Sequence, residues 1–196
     1  MTNDDALGGR LPLLRPDTLP ADARALYDRL AGGRLGQASP FRNRTAAGEL
    51  IGPFNVFLHA PALGAGFLAF HEAEERATPL SPRLREVVIL SVGAVWRAPY
   101  ALYAHEAVAH EVGFTREAAA ALAAGAVADD LTEDERLAQR FTLALARDGR
   151  VDDATYAACD AALGREGVIA LVFLAAAYAG TCMVLNAFDI PAPAGR

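Results

Sequence analysis

The sequence predicts an all-α bundle of seven or eight helices on three observations. Cap and stop residues recur along the chain, no segment alternates apolar and polar residues as a strand does, and the turns between helices are short. Residues 1 to 17, rich in Gly, Pro and Arg, read as an arm. Thr18 with Pro20 opens a first helix that stops near Gly32 and Gly33, and the chain is loop-like from Gly33 to about Pro53. Pro61 begins an amphipathic segment that runs to about Arg76. Ser81 followed by Pro82 supplies an N-cap and a proline at the first helical position, and this helix ends before Pro99, which biases Ala98 away from helical backbone.

A further helix spans about Tyr100 to Val112, with Gly113 as its stop. Thr115 caps a short helix ending near Gly125. Thr132 and Glu135 have capping-box spacing and open a helix that closes at Gly149. Asp152 starts another helix that runs to Gly164, and a long apolar helix follows from about Glu166 to Phe188, with Pro191 ending regular structure. No linker is long enough to divide the chain, so its 196 residues read as one domain, large enough to bury a core without disulfide or metal staples.

The charge balance is −6 and every cation is an arginine, which argues against nucleic acid as a partner, since phosphates call for a clustered basic face. Hydrophobic residues make up 53% of the chain and charged ones 21%, which excludes a disordered chain and leaves apolar surface for closing an oligomer. Cys159 and Cys182 are too far apart for a redox pair of the C-x-x-C kind, and reduced cytoplasm is the expected compartment. Asp4 and Asp5 stand where a signal peptide carries positive charge. The uncharged run from Val168 to Phe188 is long enough to span a bilayer. Its alanines, Tyr178, Thr181 and Asn186 make it a poor insertion signal, so it reads as a core or interface helix with no membrane partner.

Chemistry begins with the histidines. His105 and His110 are five apart, whereas a zinc pair on one helix face needs four, so no metal site is expected there. His105 shares its stripe with Ala101, Val108 and Val112, an inward face, while His110 lies with Tyr103 and Glu106 on a wetter one. His59 and His71 have no comparable context. His105 is either a core histidine satisfied by a backbone carbonyl or an acid–base group. Glu86 precedes the uncharged run Val87–Trp96 and is either a surface carboxylate paired with Arg83 or Arg85, or one held by a buried partner. Arg97, roughly 16 Å along the same helix face, is either a surface cation or an anchor for a substrate carboxylate. The short turn at Ala98 and Pro99 predicts a hairpin in which Glu86 and His105 approach, directly or through water, as a carboxylate orienting an imidazole.

These residues resemble the carboxymuconolactone decarboxylase family, which shares its fold with the alkylhydroperoxidase D-type peroxidases. The resemblance runs from about Gly52 to Pro191. It rests on Leu80-Ser81-Pro82-Arg83-Leu84-Arg85-Glu86-Val87-Val88-Ile89-Leu90, then on Tyr100, His105 and Gly113, and on the ending Asn186-Ala187-Phe188-Asp189-Ile190-Pro191. The fold it implies is an alkylhydroperoxidase D-like helical bundle with an N-terminal arm. Residues 1–50 form the arm and a first helix on the core, 51–191 the family-like domain, and 192–196 a tail. In the peroxidase branch the motif pairs Glu and His with two cysteines. Here Glu86 and His105 fall on the Glu and His, but Ala98 and Ala101 occupy the cysteine positions, which resembles the cysteine-free branch.

The family's named reaction is cofactor-free loss of carbon dioxide from an unsaturated lactone acid in aromatic catabolism. The resemblance implies His105 as acid or base, Glu86 as its orienter and Tyr100 as donor to the enolate. Arg97 is added as carboxylate anchor, with Tyr103 and Trp96 as further substrate-binding residues. The expectation is a cytoplasmic lyase on a small carboxylated substrate, without cofactor or metal, assembled as a trimer or hexamer. A thiol-dependent peroxidase and a non-catalytic small-molecule binder are the alternatives.

Overall fold

The computed structural model describes residues 3–33 and 39–194. Among these residues eight α-helices run in the order α1 (Ala21–Gly32), α2 (Pro53–His59), α3 (Pro61–Ala77), α4 (Pro82–Trp96), α5 (Pro99–Glu111), α6 (Arg116–Ala123), α7 (Glu133–Asp148) and α8 (Asp153–Ala187). Their only β pairing is an isolated bridge between Arg44 and Leu50. The expected loop from Gly33 to Pro53 lies partly outside the described residues, at 34–38, as do the first two and last two residues of the chain.

The caps act where the residue types place them. The Ser81 hydroxyl accepts from the Leu84 N–H at 3.2 Å, Thr115 from Ala118 at 3.1 Å and Asp152 from Thr155 at 2.9 Å. Thr132 and Glu135 close a reciprocal capping box, the Glu135 carboxylate accepting from the Thr132 N–H at 2.9 Å. α8 holds the two helices expected on either side of Gly164, joined end to end at a kink. Gly164 sits at φ 69° and ψ 168°, a backbone conformation that a side chain opposes. The helix α2 is an addition to the expected set. With seven residues and Pro53 at its first turn, it is too short to show a 3.6-residue period.

α4 is the axis of the fold. Leu84 and every residue from Glu86 to Gly93 are buried, with α5, α6, α7 and α8 packed around it. An uncharged run with no polar face requires this, because a helix apolar on all sides must be covered on all sides. α8 is long and apolar enough to cross a membrane by length and composition, and half of its most apolar window is buried against the rest of the chain. Val168, Leu171, Leu174, Leu185 and Cys182 enter the main core, while Ile169, Phe173 and Met183 face outward.

The arm is laid along the end of α8. The Arg10 N–H donates to the Phe188 carbonyl at 2.8 Å, and Gly9, at φ 61°, runs so close that a Cβ there would lie 2.2 Å from that oxygen. Asn55 on α2 ties the arm down from both sides, its Oδ1 accepting from the Leu14 N–H at 3.1 Å and its Nδ2 donating to the Pro12 carbonyl at 3.2 Å. His59 also reaches the Pro12 carbonyl, at 3.0 Å, which makes it a tether for the arm.

Candidate functional site

Three charges enter α4 within four positions, and helical rotation sends each to a different neighbour. Arg83 turns toward α7 and donates from Nε to the Glu135 carboxylate at 2.9 Å. Its other nitrogens reach the Gly113 carbonyl and Asp130, and its guanidinium lies 3.7 Å from the centre of the Phe114 ring. Arg85 turns toward α3 and grips Glu74 in a two-pronged pair at 2.6 and 2.8 Å, with the Glu74 side chain only 3% exposed. Burial works against the Arg85 charge, but the Glu74 carboxylate more than offsets it and holds the guanidinium above its ordinary range. Neither arginine is therefore the partner of Glu86.

Glu86 instead meets His105 across the α4–α5 hairpin, with Oε2 2.8 Å from Nδ1 and the carboxylate side chain 7% exposed. Beside a carboxylate, Nδ1 carries the proton and donates, so Nε2 presents its lone pair. Gly93 lets the hairpin close, since a Cβ there would lie 2.8 Å from the Leu102 side chain. Arg97 makes the turn: it caps α4 at φ 50° and ψ 49°, after which Ala98 is extended and α5 begins. The Arg97 side chain is exposed at the bend. Trp96 is half-buried against the main core, and its carbonyl accepts from the Asn186 amide at 2.7 Å.

Tyr100, expected as the enolate donor, and Tyr103, expected to bind substrate, both turn toward Arg42. Its ring is 2% exposed under Gly52, where a Cβ would come within 2.3 Å of it, and its hydroxyl donates to the Arg42 carbonyl at 3.1 Å. Tyr103 accepts from the Arg42 N–H at 2.9 Å. The two phenols clamp the loop before α2 rather than face His105, because residues five and two positions from His105 are turned about 140° and 160° away around the helix. Burial pushes the Tyr100 hydroxyl far above its ordinary range, which keeps it a neutral hydrogen-bond donor to that loop.

The tyrosine against His105 is Tyr178 of α8, edge-on to the imidazole with ring centres 4.9 Å apart. On its other side Tyr178 meets His71 of α3, at 5.4 Å and again nearly perpendicular. His71 is itself bonded through Nε2 to the Thr181 hydroxyl at 3.1 Å. Its pKa lies below the usual imidazole range, chiefly through burial and in part through the nearby His105 and Arg85, with Glu74 and Glu75 opposing. Thus His71 and Tyr178 join Glu86 and His105. The sequence holds a trace of this: Tyr178 and Thr181 are polar interruptions, one helical turn apart, in an otherwise apolar run. What it lacks is the packing of α3 on α8 that delivers His71.

His110 donates from Nδ1 to the Phe114 carbonyl at 3.0 Å and serves the end of α5. Both cysteines are buried, and burial raises both thiols, Cys182 to about 12. Ala98 and Ala101, at the positions of the peroxidase thiols, are core residues. A shallow depression of about 180 Å³ lies on another face, lined by Thr115, Glu117, Ala121 and Asp130 among others.

Residues 61–144 match the carboxymuconolactone decarboxylase family. Among solved structures, the alkylhydroperoxidase AhpD core of a peroxidase-related protein from Ralstonia eutropha JMP134 is similar over 94% of this chain and 92% of its own, with a TM-score of 0.75 and 18% identity. A peroxidase-related protein from Silicibacter sp. TM1040 aligns over 99% of this chain and 96% of its own, with a TM-score of 0.77 and 14% identity. A variant of the debrominase Bmp8, in complex with 2,3,4-tribromopyrrole, aligns over 94% and 91%, with a TM-score of 0.71 and 16% identity. At these identities the likeness is one of fold, an AhpD-like helical bundle. No curated protein sequence matches the chain.

Proposed function

We propose that this chain, whose residues 61–144 match the carboxymuconolactone decarboxylase family, is a cofactor-independent lyase acting on a small carboxylated substrate, of lactone or aromatic-derived type. The observation that carries this reading is the 2.8 Å bond between Glu86 and His105, which holds one imidazole nitrogen and presents the other. When carbon dioxide leaves, the electron pair of the broken C–C bond passes into the conjugated acceptor as a dienolate. Nε2 of His105 takes up a proton from water and then delivers it to the carbon, with Glu86 orienting the ring and the imidazole returning to its neutral form. Tyr178, in place of Tyr100, is the phenol beside this group. Arg85 has its terminal nitrogens committed to Glu74, and the exposed Arg97 at the α4–α5 bend is the cation assigned to the substrate carboxylate in this reading. A thiol peroxidase is the weaker reading, since both buried thiols resist becoming thiolates.

Turnover of carboxylated lactones and related enoic acids, followed as carbon dioxide release, tests the reading. His105→Gln should lower kcat by about 10²–10⁴-fold with the fold retained by circular dichroism, and Arg97→Gln should raise KM. Full turnover in the His105 variant would remove the assignment. No turnover in the parent, together with saturable binding of the same acids, would leave a small-molecule binder.

We also propose that the chain is a homo-oligomer through the outer faces of α3 and α8, where Leu63, Ile169, Phe173 and Met183 are 78%, 50%, 52% and 55% exposed. No charge interrupts α3 from Pro61 to His71 or α8 from Val168 on, and no cluster of cations flanks them as an interfacial membrane helix requires. Sedimentation should give a trimer or hexamer, which Phe173→Glu dissociates. A monomer at micromolar concentration would contradict this.

A further inference from the structure

Two helices, α3 and α5, each bring an imidazole to Tyr178 of α8. The phenol ring stands edge-on to both, 4.9 Å from His105 and 5.4 Å from His71, so the two histidines lie within about 10 Å of each other across one aromatic side chain. Each histidine has one nitrogen occupied by a partner of fixed polarity. For His105 it is Nδ1, facing the Glu86 carboxylate. For His71 it is Nε2, facing the Thr181 hydroxyl, which donates its own proton to the Ala177 carbonyl at 3.0 Å and so can only accept from the imidazole. His71 therefore carries its proton on Nε2 and presents Nδ1, while His105 does the reverse.

We propose that His71 is a second titrating residue of the His105 site, its ring set by Thr181 and its protonation coupled to that of His105 across Tyr178, so that a proton on one imidazole disfavours a proton on the other. The inference rests on the reading of His105 as the acid–base group and extends it to a pair. Phe67, one turn before His71, packs against its ring at 5.1 Å. Gly180 admits Phe67, whose ring would lie 3.1 Å from a Cβ there, so the approach of α3 to α8 is built into both helices. The groups facing His71 are Glu74 and Glu75 from its own helix, Arg85 from α4, His105 from α5, and Tyr178 with Thr181 from α8. The arginine and the second imidazole disfavour a proton on His71, and the two carboxylates favour one. A proton gained at His105 during turnover thus makes His71 a poorer base, and its release restores the neutral pair.

Imidazole nitrogen NMR on the intact, substrate-free protein tests this, so that its outcome is independent of turnover. His71 should appear as the Nε2–H tautomer and His105 as the Nδ1–H tautomer. In His105→Gln the titration midpoint of His71 should move upward, since a neighbouring positive charge is gone, and Tyr178→Phe, which keeps the ring, should leave it in place. Thr181→Val should convert His71 to a mixture of tautomers. An unmoved His71 midpoint in His105→Gln, or a His71 that carries its proton on Nδ1, would overturn the proposal. A protein that shows the coupling but releases no carbon dioxide would sink the lyase reading and leave the pair standing.

Discussion

The two arginines at the start of α4 and the glutamate beside them face opposite fates. Arg83 is surrounded by acceptors and an aromatic face, and Arg85 has both terminal nitrogens on Glu74. These are saturated charges. Each fastens α4 to a neighbour, α7 in one case and α3 in the other. Glu86, one residue further on, is joined to an imidazole that uses one nitrogen and has a second for other work. A saturated ion pair resists chemistry because any reacting group must first displace its partners, whereas a carboxylate–imidazole pair holds geometry and keeps a reactive lone pair. The first kind of contact sets where α4 lies, and the second is what that placement serves.

The largest effect should come from breaking saturation in the interior. Glu74→Ala strands the Arg85 guanidinium, whose side chain is 15% exposed, and should cost about 3–5 kcal/mol in urea unfolding. A loss below about 1 kcal/mol would mean that water satisfies Arg85 and that the contrast with Glu86 is one of degree. Arg83→Ala, at a site 26% exposed, should cost about 2 kcal/mol and leave turnover per folded molecule unchanged.

The acid side of the stability curve sharpens the comparison further. His71 binds protons less readily folded than unfolded, so its contribution to stability is fully present above about pH 6.5 and is lost as pH falls through its lower folded value. Between pH 7.5 and 5 the parent should therefore lose more stability than His71→Gln, as read by thermal melts at each pH. Equal losses would show that folding does not lower the proton affinity of His71. The smallest effect should be that of Tyr100→Phe, which deletes a buried bond to the Arg42 carbonyl and should cost about 1–2 kcal/mol without changing kcat. Tyr178→Phe should lower kcat at little cost in stability. Reversal of that pattern would return the enolate-donor role to Tyr100.

Local signals account for most of the helices. Ser81, Thr115, Thr132 with Glu135, and Asp152 could be read as caps because a cap is a contact between near neighbours in the chain. The meeting of Glu86 and His105 was legible for a similar reason: the turn between their helices is so short that distance from the bend specifies which residues can face each other. Tyr100 shows where that reasoning ends. It lies on the same helix as His105, but its side chain is claimed by residues 42–52, a stretch with no periodicity from which its position could be inferred. His71 had no local context at all, since its neighbours Tyr178 and Thr181 are more than a hundred residues away in sequence.

By itself, then, the amino-acid order determined the helical class, the caps, the α4–α5 hairpin and the absence of a thiol at Ala98 and Ala101. All of these depend on rotation per residue, on backbone capping and on which atoms a side chain carries. Tertiary structure decided which of two tyrosines stands beside the imidazole, which arginines are occupied, and that a second histidine joins the first. Those outcomes depend on the packing of α3 and α8 against the hairpin, where partners are chosen by the fit of distant surfaces and by the cost of leaving a buried charge or hydroxyl without one.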